Sequence, residues 1–256
     1  MMKQSVLTTC MAAVALMAGL LSAAAPDPAA ADRRAQRSAL MKEAVLQANA
    51  RKFAEAREIY GKAAALAGIT AAERVGALLA IADTHLRENK PDAAAAAAAV
   101  CESGLAGQGL GAGERFSLRA KIGDVWRKAS EPAKAAAAMA PVLNDPESSN
   151  AQKLAAADLI ANVRLDAFDE SAALAMAQSG TALPGLTVAE QAVALTQLGK
   201  LLLRMERFDE VRGTAAKIGA LAGLPDAARQ AAKLSADASS EAGRARPDRE
   251  RPAGRL

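Results

Sequence analysis

Histidine, cysteine and aromatic residues are scarce in this chain. Its 256 residues include one histidine, two cysteines, four phenylalanines, one tyrosine and one tryptophan. A single histidine, His85, cannot build a three-histidine metal site, and it has no second histidine for a nucleophile-and-base pair. So few aromatic side chains do not form a stacking platform for bases or sugars. These absences predict a non-enzymatic chain.

Phosphate-binding glycine motifs are also missing. The glycines between Gly104 and Gly113 lack the Lys-Ser/Thr pair of a P-loop and the preceding strand of a dinucleotide site. The carboxylates of Asp83, Asp124 and Asp158 recur at helical positions without a neighbouring base, and we interpret them as solvated faces. We therefore expect no catalytic residue, no metal ligand and no bound cofactor.

The cysteine count limits the disulfide chemistry of the chain. Cys10 lies near the N-terminus, within residues 1–24. Cleavage of those residues would leave Cys101 as the single thiol. An internal disulfide would then be impossible, and packing would have to supply the stability. Cys101 falls at a core position of a predicted helix, where cysteine behaves as a small hydrophobe. A redox-active or intermolecular thiol is the alternative.

Positive charge is concentrated at the C-terminus. The formal net charge is +4, of which Lys3 supplies one and residues 244–256 supply three. The region between them is formally neutral, so we predict no nucleic-acid binding, which needs a continuous basic face. The tail lacks apolar residues and is expected to be disordered over 237–256, and peripheral contact with an anionic envelope surface is the alternative role for it. Its basic residues are Arg244, Arg246, Arg249, Arg251 and Arg255.

The first residues have the pattern of an export signal. Lys3 precedes an apolar stretch over 11–21, and small residues follow at 22–25. This stretch is short for a membrane span. We predict a signal peptide over 1–24, cleaved after Ala24, and a location in the periplasm or another extracytoplasmic space. A segment retained as an anchor is the alternative.

One pattern repeats through the rest of the chain. In each copy a predicted helix start stands eight residues before an aliphatic residue that is followed by a small one. Successive helix starts are 41, 38 and 38 residues apart. Such self-similarity is typical of stacked helical hairpins. We divide the chain into a linker over 25–37, a repeat array over 38–236 and the tail. The pairs are Glu73 with Ile81-Ala82, Glu114 with Ile122-Gly123, Gln152 with Ile160-Ala161, and Glu190 with Leu198-Gly199.

Local signals support the boundaries of these hairpins. Thr70-x-x-Glu73 and Thr187-x-x-Glu190 are capping boxes that mark first helices. Nine residues after the small residue a turn position holds Pro91, Pro132 or Phe208. In the fourth copy Phe168 comes two residues early, so we expect a shorter turn there. A weaker first copy shows mainly its second helix, in Phe53, Ala56, Tyr60 and Ala63, which brings the expected number of hairpins to five.

The clearest copy resembles the tetratricopeptide repeat family, whose pattern is W-x2-L-G-x2-Y followed by A-x3-F-x2-A and a proline. It reads Leu195, Leu198-Gly199, Leu202, Phe208, Val211 and Ala215. The resemblance implies an all-α, right-handed superhelical solenoid in which small residues bring paired helices close and turn aromatics fill the space between layers. The repeats exceed the family's 34 residues, and HEAT-type repeats of about 40 to 47 residues are the alternative.

Family geometry also implies a concave groove lined by first helices. Its exposed positions would follow the small residue by one and by five. Such a mixed-charge surface suits an extended peptide or a helix of a partner protein. We predict an exported interaction scaffold, and the alternative is an auxiliary structural subunit that docks on the cell wall or an anionic membrane through its tail. The groove residues are Asp83, Arg87, Asp124, Lys128, Asn162, Asp166, Lys200 and Arg204.

Export can be tested on the protein from its native host. Mass spectrometry should find a mature N-terminus between Ala23 and Asp32, because the small residues at 22–25 are the substrate of a signal peptidase. Recovery of the intact Met1 form from the cytosol would contradict the prediction.

Overall fold

The fold is all-α. The structure, a computed structural model, describes residues 28–221 and 233–242, and none of these residues lies in a strand. No helix within these two ranges is both long enough and apolar enough to span a membrane. A last helical segment covers 233–242. The helices before it are α1 (Pro28–Asn49), α2 (Phe53–Ala65), α3 (Ala71–Glu88), α4 (Ala93–Leu105), α5 (Ala112–Lys128), α6 (Pro132–Asn144), α7 (Asn150–Asp166), α8 (Glu170–Thr181), α9 (Val188–Arg204) and α10 (Phe208–Gly219).

The described residues form two compact units, which divide between Ala77 and Leu78 inside α3. In the first unit α1 packs against α2. Helix α1 begins at Pro28 and so includes residues 28–37 of the predicted linker over 25–37. Those residues show little apolar periodicity because half-buried arginines supply part of the contact. Arg37 Nη2 donates to the backbone oxygen of Glu73 at 3.0 Å, and Arg33 lies over the Gly68 turn.

In the second unit each helix from α4 onward packs against the next one along the chain, through to α10. First helices of neighbouring hairpins also touch, since α5 contacts α7 and α7 contacts α9. The core positions of the second helices recur with the repeat. In α6 they are Ala135, Met139 and Val142, each at most 2% exposed. Aliphatic and small side chains thus form most of this core.

Capping boxes begin two of the first helices, α3 and α9, as predicted. Glu190 N donates to Thr187 Oγ1 at 3.2 Å, and Thr187 N donates to Glu190 Oε2 at 2.9 Å. Thr70 and Glu73 make the same reciprocal pair. A third box, Ser149-x-x-Gln152 at the start of α7, was not predicted. Glutamine stands in this box in place of glutamate, and its amide oxygen accepts the same backbone hydrogen bond.

The turns inside the hairpins follow one geometry. In every case the residue seven positions after the small residue has a positive φ of 53° to 62°. The first hairpin obeys the same rule, with Ala44 as its small residue, and is therefore a complete copy. These left-handed residues are Arg51, Asn89, Ser130, Phe168 and Glu206.

Phe168 thus corrects the prediction for the fourth turn. It is the counterpart of Glu206, not of Phe208, whose own counterpart is Glu170. The turn from Asp166 to Glu170 is as long as its neighbours, and Phe168 is 94% exposed instead of filling the space between layers. Phe208 does pack against the last core cluster, beside Leu202 and Val211. The sequence pattern could not separate the two phenylalanines because they stand only two positions apart in the repeat.

The small residues make the close approach that their spacing predicts. A Cβ added at Gly123 would lie 3.1 Å from Met139 Cγ and 3.3 Å from Leu159 Cδ1. At Gly199 it would lie 3.0 Å from Leu234 Cδ1 and 3.6 Å from Thr214 Cγ2. These distances leave no room for a larger side chain between the helices.

Helical structure continues beyond residue 236, where the predicted array ends. Leu234 and Ala238 are buried in one cluster with Val211 and Ile218. Residues 237–242, assigned to the tail by prediction, are therefore helical. The five tail arginines, from Arg244 to Arg255, lie outside the described residues.

Cys101 is fully buried in α4, as predicted for a small core residue. Burial raises the pKa of its thiol to about 11. With this pKa only about one thiol in a thousand is ionised at pH 8. The thiolate is the reactive form, so the folded protein should react slowly. The raised pKa and the packing both protect the sulfur.

Close helix contact predicts opposite effects for one substitution at two glycines. Gly123→Leu should lower the free energy of unfolding by about 2 to 3 kcal/mol, because the new side chain overpacks the contact with Met139 and Leu159. Gly213→Leu should raise it by about 0.5 to 1 kcal/mol, because that α10 position is open and leucine favours helix over glycine. Denaturant titration measures both values. Equal effects would show that Gly123 is not a contact point.

Thiol chemistry provides a second check on the core. In a Cys10→Ser chain, labelling of Cys101 should be about 100-fold slower in the folded protein at pH 8 than in denaturant. The folded-state rate should keep rising as the pH approaches 11, because the pKa is raised. Ellman's reagent measures the rate. Fast labelling of the folded protein at pH 8 would contradict the buried placement.

Candidate partner-binding surface

The predicted groove residues occupy equivalent positions on four first helices. We call them the inner-face residues: on each of α3, α5, α7 and α9 they stand one and five positions after the small residue. Residues four apart share one face of a helix. All of them lie in the second unit. They are Asp83, Arg87, Asp124, Lys128, Asn162, Asp166, Lys200 and Arg204.

Arg204 joins the inner faces of α7 and α9. Its Nη1 donates to Asn162 Oδ1 at 2.5 Å, and its Nη2 donates to Asp166 Oδ1 at 2.6 Å. The guanidinium fork matches the spacing of these two acceptors, which stand one helical turn apart. Three of the predicted residues are therefore in direct contact across two repeats.

A second link crosses from α3 to α5. Lys121 Nζ of α5 donates to Asp83 Oδ1 of α3, and the lysine side chain is only 18% exposed. The prediction did not include Lys121, which stands two positions before Gly123. Its repeat counterparts are Ala80, Leu159 and Gln197, so the repeat itself gave no signal for a charge at this position.

Asp124 pairs within its own helix. Lys128 Nζ lies 2.8 Å from Asp124 Oδ2, and Arg127 Nη2 lies 3.0 Å from Asp124 Oδ1. Burial raises the pKa of this carboxyl, but the hydrogen bonds from Lys128 and Arg127 outweigh burial and leave the pKa lowered. Asp124 and Lys128 are thus together, while Arg87 lies exposed in the last turn of α3.

Asp158 corrects our interpretation of a solvated carboxylate. Its side chain is half-buried, and burial raises its pKa despite a hydrogen bond from Asn162 and the nearby charges of Lys200 and Arg204. Asn162 Nδ2 donates to Asp158 Oδ1 at 3.1 Å. The position four residues before Asn162 on the same helix face was the signal that could have placed Asp158 in this surface.

The charges of the inner face largely neutralise one another. Asp158, Asn162, Asp166, Lys200 and Arg204 form a cluster with two acids and two bases. Both partners of the Arg204–Asp166 pair are close to 45% exposed. Pairs of this kind contribute only about 0.2 to 1 kcal/mol each, so an incoming charged group can replace one partner at small cost. The surface is therefore suited to exchange of ion pairs with a polar ligand.

No group of three side chains from His, Cys, Asp and Glu is placed to hold a metal ion within the described ranges. A scan of protein-family models finds no match for this chain, and a search of curated proteins finds none either. The resemblance to tetratricopeptide repeats accordingly rests on the repeat residues themselves.

Proposed function

We propose that this chain is an exported, non-catalytic scaffold that binds a peptide or a helix of a partner protein across the inner-face residues. The observation that carries the proposal is the Arg204 fork on Asn162 and Asp166, because it makes the inner faces of two successive repeats one polar surface. A surface shared by several repeats suits an elongated ligand.

The solenoid arrangement is part of the same proposal. Contacts of α5 with α7 and of α7 with α9 are those expected when first helices line one side of a stack. We propose that the five hairpins continue this stacking as a right-handed superhelix, with the first helices lining its groove. The tetratricopeptide resemblance supports this handedness.

The charges indicate what kind of ligand would fit. The inner face carries both acidic and basic residues, and their weak mutual pairs can be exchanged for those of a ligand. A partner segment that carries both signs would replace each broken pair by a new one. A purely basic or purely acidic segment would leave half of these groups without a partner, at a cost in affinity.

Site-specific crosslinking in the native host can identify the partner. A photo-crosslinking residue at Lys200, exposed on the inner face, should yield a defined adduct. The matched control is Lys217, which is also exposed but lies on second helix α10. The same adduct from both positions, or no adduct from Lys200, would contradict binding at the inner face.

Reversal of the basic inner-face charges then tests whether they bind the partner that crosslinking identifies. Arg87→Glu, Lys128→Glu and Arg204→Glu together should weaken its binding by at least about 100-fold, because a hydrogen bond to a charged group is worth about 1.5 to 3 kcal/mol. Reversal of Lys134, Arg212 and Lys217 on second helices should change it little. Titration calorimetry measures the affinity, and circular dichroism verifies that both triple variants fold.

The tail-docking alternative makes the reverse prediction. Deletion of residues 243–256 should abolish retention on envelope fractions if the tail docks, and should leave binding to the partner unchanged if the inner face binds. Insensitivity of partner binding to the inner-face reversal would remove the scaffold proposal.

A further inference from the structure

Phe168 occupies a position that does not favour a large apolar side chain in a monomer. Its side chain is 94% exposed, and its φ is +61°, where bulky residues are rare. The four equivalent turns hold Arg51, Asn89, Ser130 and Glu206, all polar and exposed. Neither the backbone nor the packing of this chain favours phenylalanine here. The turn itself requires the positive φ, and a contact outside the monomer accounts for the choice of an exposed phenylalanine at this position.

An apolar cleft lies directly beside this turn. Its volume is about 420 Å³, and helices α6, α7 and α8 surround it. Ala167 and Asp169, the two neighbours of Phe168 in the chain, are part of its lining. Its size falls within the range of about 300 to 1,000 Å³ that is usual for ligand pockets. Its apolar lining includes Ala133, Ala136, Ala137, Ala140, Ile160 and Met176.

We propose that Phe168 of one copy of this chain inserts into this cleft of a second copy, and that the two copies exchange this contact symmetrically. A two-fold dimer requires one patch that is complementary to itself. The exposed ring and the cleft adjoin each other on the same turn, so a two-fold axis beside them brings each ring to the cleft of the other copy.

Charge around the cleft supports a second copy as the occupant. Arg164 lines the cleft, and its Nη1 lies 3.4 Å from Asp169 Oδ2, with both side chains more than 40% exposed. Glu170 adds a further acid next to the ring. A two-fold axis at this turn places Arg164 of each copy against the acidic residues that follow Phe168 in the other. The exposed internal pair is exchanged for one across the interface.

The expected contact is small. Two buried phenyl groups remove roughly 300 to 500 Å² from water, and the cleft walls about as much again. This total is below the roughly 1,200 to 2,000 Å² of stable complexes, so the dimer should be weak and should form only as the concentration rises. None of the inner-face residues lines the cleft, so the contact does not depend on the inner-face function proposed above.

Sedimentation velocity over a concentration series, from low micromolar to near millimolar, tests the dimer on protein purified in the form that the native host accumulates. The weight-average mass should rise toward that of a dimer. Phe168→Asn should weaken association by at least about tenfold, and asparagine tolerates the left-handed backbone, so the fold is retained. Glu206→Asn, at the equivalent turn of the next hairpin, is the matched control and should associate as the original chain does.

The acceptor is tested separately. Ala137→Arg keeps Phe168 but places a long charged side chain in the cleft, from an exposed position on α6 where the helix tolerates it. It should also weaken association at least about tenfold. Thermal melting verifies that both variants fold.

Three outcomes would overturn the proposal. The first is a chain that stays monomeric at every concentration. The second is a dimer that either Phe168→Asn or Ala137→Arg leaves intact. The third is a Phe168-dependent complex with another protein of the host without self-association, which would assign the ring to a different partner.

Discussion

Close contact between the helices of each hairpin is the constraint on which the described structure depends. One position per repeat must hold alanine or glycine, since at Gly123 even a Cβ would press on Met139 and Leu159. Helices this close leave a thin layer between them, which alanine and a few aliphatic residues fill. The scarcity of aromatic residues follows from the same geometry. Stability then comes from the repetition of small contacts and not from one large core.

The same contact fixes the polar side of the first helices. Once the small residue faces its partner helix, the residues one and five positions later must point along another face. Where two first helices touch, as α7 and α9 do, these residues meet, and Arg204 bridges Asn162 and Asp166. Packing and the candidate binding surface are therefore consequences of one register. A change of register would move both together.

At one hairpin turn the side chain does not suit its exposed position on the backbone. Each turn needs one residue with positive φ, and four of the five hold a polar residue that remains in solvent. Phe168 keeps the backbone geometry but gains nothing from the packing of its own chain. The cleft between α6 and α8 is apolar for a related reason, since alanines that allow close helices also leave a methyl-lined depression at the surface.

The sequence by itself determined the helical class, the repeat register, two capping boxes and the burial of Cys101, because each depends on residues close together in the chain or on a repeat of 38 to 41 residues. Tertiary structure alone decided the ion-pair links and the exposures. Lys121 reaches Asp83 through a contact between residues that no local pattern relates, and Asp158 is half-buried close to Lys200 and Arg204 of α9. Likewise α1 begins at Pro28 within a polar stretch, where the Arg37 guanidinium donates to the backbone oxygen of Glu73, a residue far away in the sequence. Phe168 and Phe208 stand only two positions apart in the repeat, so their spacing does not show which of them is buried. The structure places Phe168 at the left-handed turn residue, where it is exposed.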